Sequence, residues 1–225
     1  MKKLALVGYG KMGRMIAQLA PEFDFDPVVK LDAGDDLAAS AGVDAAIEFT
    51  MPEAAPGNLK QLAALGVKTV TGTTGWLKHL PEVSEAFEKS GSALVWSPNF
   101  SVGVAVFGRL VEEAGALLKN EAEYGAWAWE IHHDTKVDAP SGTLTHLVEA
   151  LKAGGYPRRV DVSSNRAGKH PGTHEIGFDS AADTITLRHT ARSREGFARG
   201  ALKAARWVLD RKGVFTFEEV LFGPK

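Results

Sequence analysis

In the first hundred residues, short apolar runs alternate with stretches in which the hydrophobic residues have helical spacing. The runs at 45–49 and 93–96 are almost continuously apolar, as expected of strands buried on both faces of a parallel sheet. This alternation predicts an α/β class protein with a Rossmann-type, doubly wound parallel sheet. The predicted strands are 3–7, 27–32, 44–50, 67–71 and 93–97, and the predicted helices are 11–20, 53–65, 77–90 and 101–119.

The pattern changes at about residue 121. From there it predicts strands at 124–133, 159–163, 174–180 and 184–190, with one helix at 143–153 and a last helix at 195–211. A polar, glycine-rich segment, 163–174, is predicted to be a long functional or mobile loop. We therefore expect a smaller α+β domain with a mixed sheet at 103–194, hinged to a domain formed by 1–102 and 195–225, with a cleft between them.

The strand that opens the second domain alternates strictly, with period two. Odd and even positions point to opposite faces, which are Trp127, Trp129, Ile131 and His133 on one side and Ala128, Glu130 and His132 on the other. The large Trp127/Trp129 face is expected to need a helix as cover. The small Ala126/Ala128 face would let a second sheet approach, which predicts a homotetramer formed through it.

The composition narrows the class of protein. The net charge is −2, which gives no basic surface for nucleic acid, and no run is long enough for a membrane span. The chain has no cysteine, which excludes disulfides and thiol catalysis and fits a cytoplasmic location. A small-molecule partner is therefore expected.

A glycine-rich turn follows the first predicted strand. Gly8, Gly10 and Gly13 form G-x-G-x-x-G between that strand and a helix, with Lys11 and Met12 inside the motif. This arrangement lets a pyrophosphate approach the backbone and predicts dinucleotide binding. A signal peptide is the alternative, but the apolar run is short and interrupted by glycines and charges.

Asp32 follows the motif at about the spacing of the acidic residue that binds the cofactor ribose. Its carboxylate would accept hydrogen bonds from the ribose of NADH and repel the 2′-phosphate of NADPH. Lys11 or Lys30 could offset that repulsion. The sequence therefore predicts that NADH is used at least as well as NADPH.

Unusual turns end the next three cofactor-side strands, where ligands sit in doubly wound sheets. Ordinary tight turns are the alternative, because Gly, Pro and Asn are common in them. The residues predicted to surround the nicotinamide are Phe49, Thr50, Gly72, Thr73, Thr74, Ser97, Pro98, Asn99 and Phe100.

The segment from Glu130 to Thr143 concentrates chemistry. His132, His133 and Lys136 precede a helix start at Ser141-Gly142-Thr143, with Pro140 expected in its first turn and Asp138 as a cap. Free amides at that start, together with Lys136, predict a carboxylate site. A metal site formed by His132, His133 and Asp134 is disfavoured because neighbouring strand side chains diverge, and the sequence shows no other compact ligand cluster.

These motifs resemble those of the 4-hydroxy-tetrahydrodipicolinate (dihydrodipicolinate) reductase family over nearly the whole chain. The segments that carry the resemblance are 8–14, 49–53, 72–75, 97–104, 130–133 and 136–143, together with Arg166-x-Gly168 and Gly172-x-His174. The resemblance implies a Rossmann domain completed by the C-terminal segment, a substrate and oligomerisation domain with a mixed sheet, and a homotetramer joined through its sheets.

The resemblance also implies the chemistry. The reaction would be hydride transfer from NADH or NADPH to C4 of a cyclic imine dicarboxylate with loss of water, in lysine and diaminopimelate biosynthesis. His132 would be the proton donor and Lys136 a catalytic and substrate-binding cation. Substrate contacts would come from His133 and from Ser141, Gly142 and Thr143. No metal is implied.

Two features depart from the family pattern. The segment 33–43 is short, which makes this a compact member, and Ala105 stands where many members have Asn. Two other functions stay open: a different Rossmann oxidoreductase for an amino or imino acid, and a regulator that binds NAD(H) without turnover. A substrate screen separates the first, and the second gives no reason for the His-His-x-x-Lys segment.

Overall fold

The computed structural model describes residues 1–224, and the chain divides into two compact units. Unit 1 consists of Met1–Ser101 and the segment that begins at Glu195, and unit 2 is Val102–Arg194. Each unit has its own sheet and its own buried core. Within residues 1–224, no helix is long and apolar enough to cross a bilayer.

The regular elements are numbered along the chain. The strands are β1 Lys2–Val7, β2 Phe25–Leu31, β3 Ala45–Glu48, β4 Lys68–Thr71, β5 Ala93–Trp96, β6 Gly125–His132, β7 Val160–Arg166, β8 Thr173–Asp179, β9 Thr184–Thr190 and β10 Gly213–Thr216. The α-helices are α1 Lys11–Leu19, α2 Ala55–Ala64, α3 Leu80–Ser90, α4 Val102–Leu118, α5 Gly142–Ala153, α6 Glu195–Val208 and α7 Phe217–Phe222.

The sheet of unit 1 is parallel throughout and has the order β10-β5-β4-β3-β1-β2. Its central strands are apolar on both faces because helices cover both sides, and Ala5, Ile47 and Val70 are fully or almost fully buried. The predicted Rossmann-type doubly wound fold is confirmed.

The strand order reverses next to β1, which pairs with β2 on one side and β3 on the other. The chain leaves β1 and β3 at the same edge of the sheet, where Gly8 N–H donates to Leu31 O and Phe49 N–H donates to Val7 O, both at 2.8 Å. In doubly wound sheets, the crevice at such a reversal is where ligands bind. The topology therefore places the glycine-rich turn and the turn after β3 at the expected ligand edge.

The last helix of unit 1, α6, packs against the sheet through small residues. Ala198, Ala201 and Ala205 are fully buried, and a Cβ on Gly200 would lie only 1.7 Å from the carbonyl oxygen of Phe100. The helix was predicted to run to 211, but it ends at Val208. The sequence also did not predict β10 and α7, and β10 forms by pairing with β5 at the edge of the sheet.

Unit 2 has a mixed four-stranded sheet in the order β7-β6-β8-β9, with β6 parallel to β7 and antiparallel to β8. Helices α4 and α5 pack on one face of this sheet, and their buried side chains include Val111, Leu147 and Leu151. The predicted smaller domain with a mixed sheet is confirmed.

The assignment of the two faces of β6 was wrong. Ala126 and Ala128 belong to the core under α4 and α5, while Trp127 and Trp129 are only partly buried. Small residues on that face let the helices approach closely. The Trp127 indole instead lies across Gly177, where a Cβ would come within 2.1 Å of the ring. The sheet surface that the helices leave uncovered is therefore the tryptophan face.

The predicted loop at 163–174 is shorter than expected. Strand β7 continues to Arg166, pairing Asn165 with Ile131 and Arg166 with His132, and β8 begins at Thr173. Because β7 is an edge strand with mostly exposed polar side chains, its sequence looks like a loop. Only residues 167–172 connect the two strands.

Candidate active site

The turn between β1 and α1 has the shape that a dinucleotide phosphate requires. Gly8 has φ 95°, and a Cβ there would lie 2.0 Å from the carbonyl oxygen of Phe49. A Cβ on Gly13 would lie 2.3 Å from the oxygen of Gly8, so α1 packs directly on the turn. Gly10 is the N-cap of α1 and has open space around its Cβ position. The first-turn amides lie next to that space, and these residues fit a pyrophosphate.

Exposed charges surround the predicted adenosine end of this site. The Asp32 carboxylate accepts a hydrogen bond from Tyr9 N–H at 3.2 Å. The Arg14 guanidinium and the Lys30 ammonium lie over the Tyr9 ring, at 5.9 Å and 5.4 Å from its centroid. Two cations therefore lie at the Tyr9 ring, and an acidic residue binds the backbone amide of the same residue. Lys11 is exposed, and Met12 is half-buried against the core of unit 1.

A buried carboxylate ties two of the predicted cofactor turns together. Glu48, fully buried at the end of β3, accepts hydrogen bonds from the hydroxyls of Thr50, Thr71 and Thr73. Thr50 N–H also donates to Thr73 Oγ1 at 2.8 Å. The turns after β3 and β4 therefore form one rigid structure.

The remaining turn residues pack beside this carboxylate. The Phe49 ring fills the place where a Cβ on Gly72 would lie, at 2.2 Å, and its centroid is 6.4 Å from that of Phe100. In the turn after β5, Ser97 Oγ donates to Asn99 O at 2.8 Å and accepts from Asn99 N at 3.2 Å. Thr74 and Pro98 are exposed. Unit 1 thus brings all three predicted turns to one edge of its sheet.

In unit 2, a second buried carboxylate lies beside the predicted proton donor. Glu130 is fully buried, and its Oε2 lies 3.5 Å from His132 Nδ1 and 3.4 Å from His174 Nε2. Arg166 donates to Oε1 at 2.8 Å, and Ser141 N–H donates to the same oxygen at 2.9 Å. The even-numbered face predicted for β6 therefore does place Glu130 and His132 together.

The charges of this cluster follow from burial and hydrogen bonding. Burial alone would raise the pKa of Glu130, but the hydrogen bonds from Ser141 and Arg166 outweigh it and hold the pKa below the ordinary value. Burial lowers the pKa of His132, with Glu130 acting in the opposite direction. Burial also lowers the pKa of His174, to about 4. At neutral pH, Glu130 is therefore ionised and His174 is neutral.

The predicted carboxylate site at the start of α5 differs in detail from the expectation. Ser141, not Asp138, is the N-cap, accepting from Leu144 N at 3.2 Å, and the helix begins at Gly142, after Pro140. The amide of Ser141 is already bonded to Glu130. The Lys136 ammonium donates a hydrogen bond to the Asp138 carboxylate at 2.6 Å. This bond lowers the pKa of Asp138, and the Gly142 amide makes a smaller contribution in the same direction.

His133 and Thr143 complete the predicted substrate residues. His133 is half-buried, and its Nδ1 lies 2.8 Å from Thr135 Oγ1, outside the Glu130 cluster. Thr143 is half-buried in the first turn of α5. Unit 2 therefore brings His132, Lys136 and Ser141 around Glu130 and Asp138, whereas His133 has separate contacts.

One compact group could in principle hold a metal. Ligand atoms of Glu130, His132 and His174 all lie within 4.8 Å of one another, so the expectation of no further ligand cluster was wrong. The sequence did not show this cluster because His174 lies on β8, far along the chain from Glu130 and His132 on β6. Arg166 and Ser141 already donate to Glu130, and the guanidinium charge opposes a cation. The arrangement fits a hydrogen-bonded proton-transfer site better than a metal centre.

Comparison with known families covers both units. Residues 2–100 match the family model described as dihydrodipicolinate reductase, N-terminus, and residues 103–221 match the one described as dihydrodipicolinate reductase, C-terminus. The chain belongs to the dihydrodipicolinate reductase family. The resemblance identified from the sequence motifs is confirmed.

Individual relatives of this reductase family agree. The 4-hydroxy-tetrahydrodipicolinate reductase of Christiangramia forsetii is 35% identical over 233 residues, covering 97% of both chains. That of Methanoregula boonei is 35% identical over 237 residues, covering 93% of this chain and 92% of its own. The solved structure of a dipicolinate-bound dihydrodipicolinate reductase from Paenisporosarcina sp. TG-14 matches the fold with a TM-score of 0.82 at 20% identity, covering 97% and 99% of the two chains.

Sequence reasoning assigned no role to Glu130, although the signal was present. Glu130 lies two residues before His132 on the same face of β6, so a carboxylate beside the imidazole could have been inferred from the strand period. Arg166 and His174 were noticed only through the family resemblance. Their convergence on Glu130 depends on strand pairing across the sheet.

Proposed function

We propose that the chain is an NAD(P)H-dependent 4-hydroxy-tetrahydrodipicolinate reductase of lysine and diaminopimelate biosynthesis. It transfers a hydride to C4 of the cyclic dicarboxylate, with loss of water, and forms tetrahydrodipicolinate. The observation that carries the proposal is the match of both units, almost end to end, to relatives of that name. The cysteine-free sequence fits a reducing compartment, and we place the enzyme in the cytoplasm.

The two units divide the work. We assign dinucleotide binding to residues 1–102 and 195–225, of which Lys225 lies outside the described residues and Val102 belongs to unit 2. The uncapped glycine-rich start of α1 and the three turns at the ligand edge support this assignment. Residues 103–194 form the substrate and oligomerisation domain. Bound NADH or NADPH supplies the hydride.

The residues of unit 2 bind the substrate and supply the proton. His132 donates a proton, and Lys136 pairs with a substrate carboxylate. Because Asp138 already pairs with Lys136, the substrate carboxylate displaces the Asp138 carboxylate from Lys136. The start of α5 holds a carboxylate through Gly142 and Thr143, with Ser141 in place as the N-cap because its amide and hydroxyl already donate to Glu130. His133 contacts the substrate from beside it.

A coupled assay tests the proposed reaction. Pyruvate and aspartate semialdehyde are condensed by the preceding synthase, and the loss of reduced nicotinamide is followed after the purified chain is added. Turnover that depends on both the synthase and the chain is expected. A folded protein that binds NADH but oxidises neither NADH nor NADPH in this assay would contradict the proposal.

We expect NADH to support a catalytic efficiency at least as high as NADPH. The exposed Asp32 carboxylate favours ribose hydroxyls, while Arg14 and Lys30 limit the penalty for a 2′-phosphate. Asp32→Asn should shift the ratio towards NADPH. Asp26→Asn is the matched control, because it removes the same charge from the opposite end of β2. The measurement is kcat/KM with each cofactor, and a preference of about a hundredfold for NADPH in the wild type would contradict the prediction.

We expect the protein to be a homotetramer that uses the tryptophan face of the unit 2 sheet. Trp127 and Trp129 are partly exposed there, Trp129 Nε1 donates to Asn165 at 2.6 Å, and Arg188 pairs with Glu175 at 2.7 Å. Aromatic and arginine side chains on a flat surface are typical of protein interfaces. We therefore propose the contact on the tryptophan face, which α4 and α5 leave uncovered, rather than on the Ala126/Ala128 face suggested by the sequence.

Light scattering at micromolar concentration checks the assembly. Thr186, opposite Gly177 on the tryptophan face, is exposed, and Thr186→Glu should dissociate the tetramer by burying an unpaired charge in the contact. Ile185→Glu is the matched control, one residue away on the other face. A wild-type monomer, or equal effects of both substitutions, would refute the assignment.

A further inference from the structure

Glu130 is the most highly connected buried charge of unit 2, and its two oxygens have different partners. Oε1 accepts from Arg166 and from the Ser141 amide. Oε2 accepts from the Ser141 hydroxyl and faces the rings of His132 and His174. A fully buried carboxylate with this many donors is held in one position. It can therefore fix the orientation of the groups that face it.

The two nitrogens of His132 have different surroundings. Nδ1 is buried, lies 3.5 Å from Glu130 Oε2, and makes no hydrogen bond within the described chain. Nε2 lies beside Gly172, where a Cβ would come within 2.9 Å of it and where φ is 135°. Because Gly172 has no side chain, no Cβ fills the space beside Nε2. Nδ1 is therefore the ring nitrogen nearer the carboxylate, and Nε2 is the one beside Gly172.

His174 faces the same carboxylate oxygen but cannot carry the proton. Its Nε2 lies 3.2 Å from Ser141 Oγ, and its ring meets that of His132 edge to face at 5.0 Å. It is 5% exposed, and burial brings its pKa down to about 4. His174 therefore stays neutral and packs the His132 ring in place.

We propose that Glu130 is a positioning residue that holds a hydrogen on His132 Nδ1 and so makes Nε2 the nitrogen that delivers the proton. The proposal rests on the proposed reductase function, in which His132 is the donor. The same carboxylate fixes Ser141, the N-cap of α5, so the donor and the substrate-binding helix start share one anchor.

The proton balance follows from this arrangement. Protonated His132 carries hydrogen on both nitrogens, with Nδ1 3.5 Å from the Glu130 carboxylate. The Nε2–H bond breaks, its proton passes to the substrate as the hydride is transferred and water is lost, and the electron pair stays on Nε2. The neutral ring that remains is the tautomer with hydrogen on Nδ1, the nitrogen near the carboxylate. Solvent then reprotonates Nε2. An acid residue that orients a catalytic histidine in this way acts without becoming protonated itself.

The charges around His132 determine how its titration should respond. Burial lowers its pKa, Glu130 and Asp138 raise it, and Lys136 and Arg166 lower it. His174, the remaining group against the ring, is neutral, with His189 as its own neighbour on β9. Removing the Glu130 charge therefore lowers the pKa of His132. Because the donor acts in its protonated form, activity is lost as pH rises through that pKa, and the basic limb of the profile moves to lower pH.

The test measures kcat/KM against pH for Glu130→Gln and Glu130→Asp. Glu130→Gln should move the basic limb down by about one pH unit, since a single neighbouring charge shifts a pKa by that order. Glu130→Asp keeps the charge and should keep the limb near its wild-type position. Glu149→Gln is the matched control, because it removes an exposed carboxylate of the same unit from α5, which packs on the face of the sheet opposite the tryptophan face. Its limb should not move.

Two further measurements keep the test decisive. NMR of histidine-labelled protein gives the pKa of His132 without turnover, and His132→Gln assigns its signal. The wild-type activity assay tests the reductase proposal separately, so the two proposals can fail independently. Arg166→Gln should move the His132 pKa in the opposite direction, upward, and this outcome does not need Glu130→Gln to fold. An unchanged His132 pKa in both variants, or equal basic limbs for Glu130→Gln and Glu130→Asp, overturns the proposal.

Discussion

Replacing His132 with glutamine is expected to lower kcat by about 10²–10⁴-fold, the range that a positioned general acid contributes. Glutamine keeps a polar side chain but cannot deliver a proton. NADH affinity should not change, because the predicted cofactor residues belong to unit 1 and His132 belongs to unit 2. The expected signature is thus a large loss of turnover with unchanged cofactor binding.

Steady-state kinetics, NADH titration and thermal melting on His132→Gln decide the matter. His133→Gln is the matched control, since His133 is the adjacent imidazole with contacts outside the Glu130 cluster. It should affect KM more than kcat. If His132→Gln keeps near-wild-type kinetics, His132 is not the donor and His133 becomes the next candidate. A lower melting temperature with normal activity would instead indicate a purely structural role.

Replacing Lys136 with alanine is expected to raise KM for the dicarboxylate by about tenfold to a hundredfold. Loss of a charge-assisted hydrogen bond costs about 1.5–3 kcal/mol, which corresponds to that range of affinity. The Lys136–Asp138 pair is loosely held, because the Asp138 side chain is 57% exposed. A substrate carboxylate can therefore take its place, and kcat should fall further if Lys136 assists proton transfer.

Asp138, which competes with the substrate for Lys136, allows a second test in which KM should change in the opposite direction. Asp138→Asn removes the carboxylate that occupies Lys136, so KM should fall, while Lys136→Ala raises it. Lys169→Ala, at an exposed lysine of the 167–172 connection, controls for the loss of positive charge alone. The measurements are KM, kcat and melting temperature for all three variants. Equal KM for Lys136→Ala and Lys169→Ala would remove Lys136 from the substrate site.

Much of the architecture was determined by local pattern. Apolar runs with helical stretches between them specified the parallel sheet of unit 1, and the glycines at 8, 10 and 13 marked the turn at its switch point. These features are readable because each depends on residues close in sequence: a strand period, a helix stripe, or a turn that only glycine allows. The motif at 130–143 and the segments that carry the family resemblance are also continuous in sequence, so they could be read without the fold.

Contacts between distant segments required the tertiary structure. The alternation in β6 separated Trp127 from Ala128, but it could not say which face the helices cover, since that depends on where α4 and α5 pack. Strand β10 was not predicted because a short apolar run becomes a strand only when β5 offers its edge. Both features depend on burial and pairing partners that a local pattern does not contain.

The same distinction applies within the active site. The sequence supplied His132, Lys136 and the start of α5, and the strand period could have placed Glu130 beside His132. It gave no sign that Ser141 is bonded to Glu130 or that Asp138 pairs with Lys136. Strand pairing brings Arg166 and His174 to Glu130 from β7 and β8. A buried charge is stable only with such partners, so folding decided which carboxylate could lie beside the proposed proton donor, His132.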